Sequence, residues 1–300
     1  MTISNLCYIV GSQKSGTTSL FDWLSQHEDV FAPEGFKDYP VFSKGGRKAS
    51  RRINDFLSSY KSTKAKQAKA LLGAEANLAY SPYGARRLSS VAPTCKVILI
   101  LRNPEIRCWS GWRFARERLI ESRSFEQAII EEISGHEYPA ESYEGLQMNY
   151  LEHSRYCKQV ASLNNIFGET RVLLVPFETL ARKPEAVVRQ VCEFMGVDPN
   201  FHFTPSASNV TSEGSRSAIL SRLLYVNRDV WYVDFARKLT TSRFRYKARM
   251  ALRYLNRSYK NAGKSALPPG EVMSVIREEL SDDCVLHEDL IRDFESKLNV

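Results

Sequence analysis

What the chain lacks narrows it first. No window of its 300 residues approaches the roughly 18 uninterrupted apolar residues that a membrane span requires. The N-terminus shows no basic stretch followed by an apolar one. Tyr8-Ile9-Val10 instead runs straight into a glycine loop, so a cytoplasmic, reducing setting is expected. The six cysteines (7, 95, 108, 157, 192 and 284) include no C-x-x-C pair. Their apolar or helical surroundings read as reduced thiols rather than disulfides or metal ligands. Repeats and low-complexity tracts are absent too. With 43% hydrophobic and 25% charged residues, the composition suits one domain, 1–300, whose 216–300 part is mostly helical and basic.

Acidic side chains are scarce where basic ones gather. Lys44 to Lys69 holds nine Lys or Arg against one acid, Asp55, and Arg216 to Lys264 holds thirteen against Asp229 and Asp234. The net charge is +8. Such runs serve as solvated faces or as attractors for anions, and a nucleotide, an acidic polymer or nucleic acid would each fit. Nucleic acid has only the charge in its favour.

What remains is an alternation of strand and helix, which predicts an α/β fold. The expected architecture is a P-loop-like central parallel sheet of about four to five strands flanked by helices, with a helical C-terminal segment. Strands are expected near 6–10, 29–32, 71–74, 96–101 and 171–175. The run Lys96-Val97-Ile98-Leu99-Ile100-Leu101 is continuously aliphatic after its lysine, the pattern of a strand buried on both faces. A helix over 16–26 buries Leu20, Trp23 and Leu24. Another opens at Asn103-Pro104-Glu105, with Asn as N-cap and Pro at N1, and a third runs from Pro184 to a stop at Met195-Gly196. From about 216 onward the pattern is helical, broken at Leu267-Pro268-Pro269-Gly270.

The chemistry is concentrated in Gly11-Ser12-Gln13-Lys14-Ser15-Gly16-Thr17-Thr18. A strand feeding a glycine loop that opens a helix aims backbone N–H groups and the positive helix end at a phosphate. An ATPase loop places lysine directly after the second glycine. Thr17 stands there, and the lysine comes earlier, at Lys14. The best candidate for a metal-binding strand ends not in an acid but in Arg102, which suggests a second phosphate and no metal. Both features oppose a P-loop kinase, the main competitor from another class. A nucleotide-binding module whose transfer site has decayed is the other.

Two motifs together resemble the sulfotransferases that use 3′-phosphoadenosine 5′-phosphosulfate (PAPS), in their bacterial and heparan-type, P-loop-like branch. Lys14-Ser15-Gly16-Thr17-Thr18-Ser19-Leu20 resembles the 5′-phosphosulfate loop, K-S/T-G-T-T/S-x-L. Leu101-Arg102-Asn103-Pro104-Glu105-Ile106-Arg107-Cys108-Trp109-Ser110 resembles the 3′-phosphate motif, R-N/D-P-x-x-R-x-x-S. Gly73-Ala74-Glu75-Ala76-Asn77-Leu78-Ala79-Tyr80 is similar to a G-E-x-T-P-x-Y element. Val175-Pro176-Phe177-Glu178-Thr179-Leu180, followed by Lys183-Pro184, is similar to a Y-E-D-L…P segment. The likeness spans about 6–217.

The resemblance implies PAPS as cofactor and adenosine 3′,5′-bisphosphate (PAP) as product. Lys14, Ser15, Gly16, Thr17, Thr18 and Ser19 would hold the 5′-phosphate, and Arg102 and Ser110 the 3′-phosphate. Arg216 would lie in a basic loop over the nucleotide. Ser110 sits eight residues past Arg102, roughly 12 Å along a helix. As a plain reading, Ser110 is a helix-surface serine, Arg102 a structural salt bridge and Arg216 a surface charge. Lys14 would stabilise charge on the oxygen that leaves sulfur. Lys37-Asp38-Tyr39-Pro40-Val41-Phe42 occupies the place of a K-E-x-x-F-F element, which makes Asp38 the candidate base, one methylene shorter than the usual glutamate. Its plain reading is a loop or N-cap acid; Glu34, Glu75 and His27 are weaker alternatives. Phe114 is a second departure, at a position where some glycan-acting members carry histidine. Tryptophans 23, 109 and 112 could stack on adenine or sugar, although their spacing suits a core. The expected reaction is sulfuryl transfer to a hydroxyl, or secondarily an amine. A glycan is the favoured acceptor and a lipid or small-molecule alcohol the nearest competitor.

Overall fold

A computed structural model describes residues 3–205 and 270–298. Arg216 and the helices expected between 216 and 267 lie outside those residues.

Five parallel strands form the centre: β1 (Leu6–Gly11), β2 (Val30–Phe31), β3 (Ala70–Ala74), β4 (Lys96–Leu101) and β5 (Val172–Pro176), in the order β2-β3-β1-β4-β5. β1 is buried along its whole length because it is the middle strand, with Tyr8 facing Gly73 of β3 and Val97 of β4. Parallel strands need crossovers, and helices supply them on both faces. On one face β1 packs through Tyr8 and Val10, with Phe42, Phe56 and Tyr60 beneath. On the other, Ile9 and Ile98 meet Leu20, Leu24, Val188 and Val191.

Local signals fix the helix ends. Asn103 caps α5 (Pro104–Glu117) by accepting from the Ile106 N–H at 3.0 Å, with Pro104 in the first turn. Ser124 and Gln127 form a reciprocal capping box on α6 (Phe125–Ile133). Gly196, at φ 82°, stops α10 (Pro184–Met195). The basic stretch after Lys44 folds as α2 (Ala49–Ser59) and α3 (Thr63–Gln67), anchored by buried Phe56 and Ala65. The two C-terminal helices are α11 (Gly270–Glu279) and α12 (Ser281–Leu298). Phe294 of α12 is buried in the same core as β1 and β5. Among the described residues no helix is long and apolar enough to cross a membrane.

Chain order sets the position of the site. From central β1 the chain runs to the edge strand β2, returns to β3 beside β1, then crosses to β4 on the other side and moves outward to β5. The crevice beyond the C-terminal strand ends, between β1 and β4, is where an open parallel sheet accepts a ligand.

Candidate functional site

Every element singled out in the sequence leaves the sheet at that rim. β1 delivers the glycine loop, β3 delivers Glu75 to Tyr80, β4 delivers Arg102 and β5 delivers Phe177 and Glu178.

The loop is held from inside. Ser12 donates its N–H and its hydroxyl to the Ile100 carbonyl, both at 2.9 Å, and its Oγ lies 2.7 Å from Ser15 Oγ. Ser15 also donates its own N–H to the Ser12 carbonyl at 3.2 Å. The backbone amide of Ser15, expected on the 5′-phosphate, is therefore spent within the loop, because the turn closes on itself one residue before the helix. The open N–H groups start later. α1 (Thr17–Leu24) is entered through Gly16 at φ 81°, and no side chain caps it and no acid sits in its first turn. A helix N-terminus in that state is a receptor for an anion. Only glycine suits position 16, because a Cβ there would also stand 3.1 Å from the Phe177 ring.

Arg102 joins the two motifs. Its Nη1 donates to the Lys14 carbonyl at 2.9 Å and its guanidinium lies 4.8 Å from the Phe177 ring centre. Burial holds its pKa below the ordinary arginine value. Behind it, the Asn103 N–H donates to Glu178 Oε1 at 3.1 Å, and Glu178 Oε2 meets His287 Nε2 of α12 at 2.8 Å. Burial would raise the Glu178 carboxyl, but the bonds from His287 and Asn103 outweigh it and hold the group below its usual range. Arg107, in the same motif, does not reach the rim. It is 1% exposed and its guanidinium donates to Ser154 Oγ and the Tyr150 carbonyl, a structural tie.

Lys14 has a left-handed backbone (φ 73°), and its ammonium sits 4.2 Å from the Phe114 ring centre. Burial, then the nearby Arg118, lowers its pKa to about 8. Ser110 is half-buried on α5, one turn before Phe114, and shares the helix face that meets Lys14.

Asp38 comes to the site through its neighbour. Lys37 donates to Thr18 Oγ1 at 2.7 Å and to Asp38 Oδ2 at 2.5 Å, so one ammonium links the helix start to the carboxylate. Asp38 is tied to the end of β3 by its N–H to the Ala74 carbonyl at 3.0 Å, and its side chain stays 46% exposed. The other acid–base alternatives fare differently. Glu75 accepts from the N–H groups of Phe42 and Ser43 and from Ser43 Oγ, and is 2% exposed. His27 is buried, with Nδ1 accepting from the Asp29 N–H and its ring against Phe201. Both are structural, and Glu34 is exposed. The tryptophans are packed as their spacing suggested. Trp23 stacks on Phe203, and Trp109 and Trp112 stack on each other with Phe125 edge-on to Trp109.

Three residues with no assigned role complete the site: Lys37, Gln13 and Arg118. Gln13 reaches the Leu146 carbonyl and Gln147 Oε1, both at 3.5 Å, on α7 (Gly145–Met148), and Arg118 reaches the same Gln147 oxygen at 3.3 Å. Lys37 was signalled by its place beside Asp38 in the same element. Gln13 and Arg118 depend on contacts more than 25 residues apart in the chain, with no local signal. Taken together, the rim offers an uncapped helix start and a separated, half-buried guanidinium bridged through the Lys14 backbone. That geometry suits two phosphates on one small molecule.

A family description, "Sulfotransferase domain", matches residues 6–222. The bifunctional heparan sulfate N-deacetylase/N-sulfotransferase 4 of Mus musculus is 24% identical over 203 residues, covering 65% of this chain and 23% of that protein. The corresponding enzyme 1 of Xenopus tropicalis is 26% identical over 196 residues, covering 63% and 22%. The chain thus spans less than a quarter of the length of these relatives. The crystal structure of a sulfotransferase from Alicyclobacillus acidocaldarius superimposes with a TM-score of 0.58 at 25% identity, over 82% of this chain and 100% of that one. With the family matched across most of its length and the fold shared, the chain belongs to the sulfotransferases, enzymes that draw their sulfuryl group from PAPS.

Proposed function

We propose that this sulfotransferase acts on a carbohydrate, moving the sulfuryl group to a hydroxyl or, secondarily, an amine. The observation that carries the site assignment is the Arg102 to Lys14 carbonyl bond, which fixes the two anion-binding elements against each other. The N–H groups of Gly16 to Ser19, with the Thr17 and Thr18 hydroxyls, hold the 5′-phosphate of PAPS, and Arg102 and Ser110 hold the 3′-phosphate. PAPS, when bound, supplies a sulfuryl group on its 5′-phosphate. Asp38 takes the acceptor proton as the acceptor attacks sulfur in line with the departing phosphate. Lys14 stabilises the negative charge left on the phosphate oxygen as the S–O bond breaks, a contribution larger in the transition state than in the ground state. Lys37, between Thr18 and Asp38, keeps the base beside the donor end of the site.

The carbohydrate class is supported by the heparan sulfate relatives and by the net charge of +8, which would gather an acidic polymer. We place the enzyme in the cytoplasm as one catalytic domain.

Radiolabelled PAPS offered with N-deacetylated heparosan, intact heparosan, a long-chain alcohol and a phenol tests the reading. Label should enter a polysaccharide, and Lys14→Ala and Asp38→Asn should each lower that rate at least tenfold while PAP still binds. Transfer only to the alcohol or phenol would overturn the carbohydrate class. Full activity in either variant would remove that residue from the mechanism.

A further inference from the structure

Lys14 is surrounded by charge of its own sign. Arg118, Arg102 and Arg113 all disfavour its charge, and Glu117 opposes them. Among the described residues no carboxylate forms an ion pair with Lys14. Its close partner is the ring of Phe114, 4.2 Å from the ammonium. The same ring carries the Arg118 guanidinium at 3.6 Å, and Arg118 is moored to Gln147 Oε1. One phenyl group therefore serves two cations, through the negative face of its π-system.

We propose that Phe114 is a positioning residue for sulfuryl transfer, its ring acting as the counter-charge that keeps the Lys14 ammonium protonated and aimed at the donor end of the site. A carboxylate in that place would neutralise Lys14 and compete with the leaving oxygen for it. A ring face holds the ammonium more weakly and has no proton to exchange, so the cation is free to shift onto the oxygen as charge develops there. Burial and the three arginines push Lys14 towards its neutral form, with a pKa of about 8, so this weak attraction acts where it changes the protonated fraction. The inference rests on the role given to Lys14 above.

The test is a carbon-13 NMR titration of lysine side chains in the full chain, with the Lys14 signal assigned by its loss in Lys14→Arg. Phe114→Leu should lower the Lys14 pKa by about half a unit, while Phe114→Tyr, which keeps the ring, should leave it in place. In parallel, PAPS is turned over with water as acceptor, releasing PAP and sulfate. Phe114→Leu should slow release several-fold and shift the alkaline limb of the rate the same way, with PAP affinity within twofold of wild type. An unmoved Lys14 titration in Phe114→Leu, or equal behaviour of the Leu and Tyr variants, would overturn the proposal. A parallel fall of PAP affinity and rate would do the same, since it marks lost packing. Should Phe114→Leu fail to fold, Phe114→Met carries the same comparison. Lys14→Ala separates the two readings. If it releases sulfate at the wild-type rate, the role of Lys14 fails. If it is inactive while Phe114→Leu matches wild type, only the role of Phe114 fails.

Discussion

Replacing Arg102 by alanine should separate two tasks that one guanidinium performs. Part of the fork already donates to the Lys14 carbonyl, and the remainder is assigned to the 3′-phosphate. A charge-assisted hydrogen bond to phosphate contributes about 1.5–3 kcal/mol. The guanidinium-to-carbonyl bond that steadies the loop acts on the ligand only through the loop, and about 1 kcal/mol of it reaches binding. PAP, which uses both, should therefore bind Arg102→Ala roughly 60- to 700-fold more weakly. Adenosine 5′-monophosphate has no 3′-phosphate, so it should lose only the loop term, about fivefold. Arg102→Lys keeps the charge but not the fork and should fall between the two. Calorimetric titration of each ligand without magnesium reads both numbers. If the mutation weakens the two nucleotides by the same factor, Arg102 does no more than brace the loop and the 3′-phosphate lies elsewhere.

Three further outcomes follow from the geometry. Gly16→Ala forces a left-handed backbone on alanine and sets its methyl against Phe177, so it should cost about 1–3 kcal/mol in urea unfolding and weaken PAP binding; wild-type values for both would contradict the packing described. Burial lifts the Glu75 carboxyl from 4.5 to about 7 despite its bonds to Ser43 and Phe42. The folded chain then holds a proton that the unfolded chain releases, so this group stabilises fully below pH 4.5, and about 3 kcal/mol is lost as pH rises through 7. Glu75→Gln does not titrate, so unfolding free energies should move in its favour from about pH 5 to about pH 8, whereas a constant gap would refute the shift. Phe56 is 0% exposed and meets Tyr8, Phe36, Phe42 and Tyr60 edge to face. Phe56→Ala should lower stability by about 3–5 kcal/mol in chemical denaturation, and a loss under about 1 kcal/mol would show that the cluster closes over the gap.

Much of this was legible in the sequence because the signals are local. An aliphatic run such as Val97 to Leu101 has few alternatives to a buried strand, and Asn103-Pro104 announces a helix start through chemistry confined to four residues. The glycine loop and Arg102 were readable for the same reason. α2 was not, because five of the basic residues before Asp55 mask the lone Phe56 that anchors it. The roles within the 3′-phosphate motif were not legible either. Arg102 and Arg107 are both arginines five residues apart, yet one reaches the rim and the other is consumed by Ser154 and Tyr150, partners over 40 residues away. Ser15 teaches the same point at short range. Its type suits phosphate binding, but loop closure spends its amide, and only the backbone path decides that.

The bonds that Glu178 accepts from the Asn103 N–H and shares with His287 bear on how α12 tolerates change. His287 and Asn103 share the Glu178 carboxylate, so α12 is tied to the residue that follows Arg102 at the end of β4. Trimming or tagging that disturbs α12 would be felt first as a weaker grip on the 3′-phosphate, while the loop after β1 kept its shape. An engineer seeking to graft a new acceptor preference onto this scaffold would have to leave Lys37 and Asp38 beyond β2 in place and carry the C-terminal helix along unchanged.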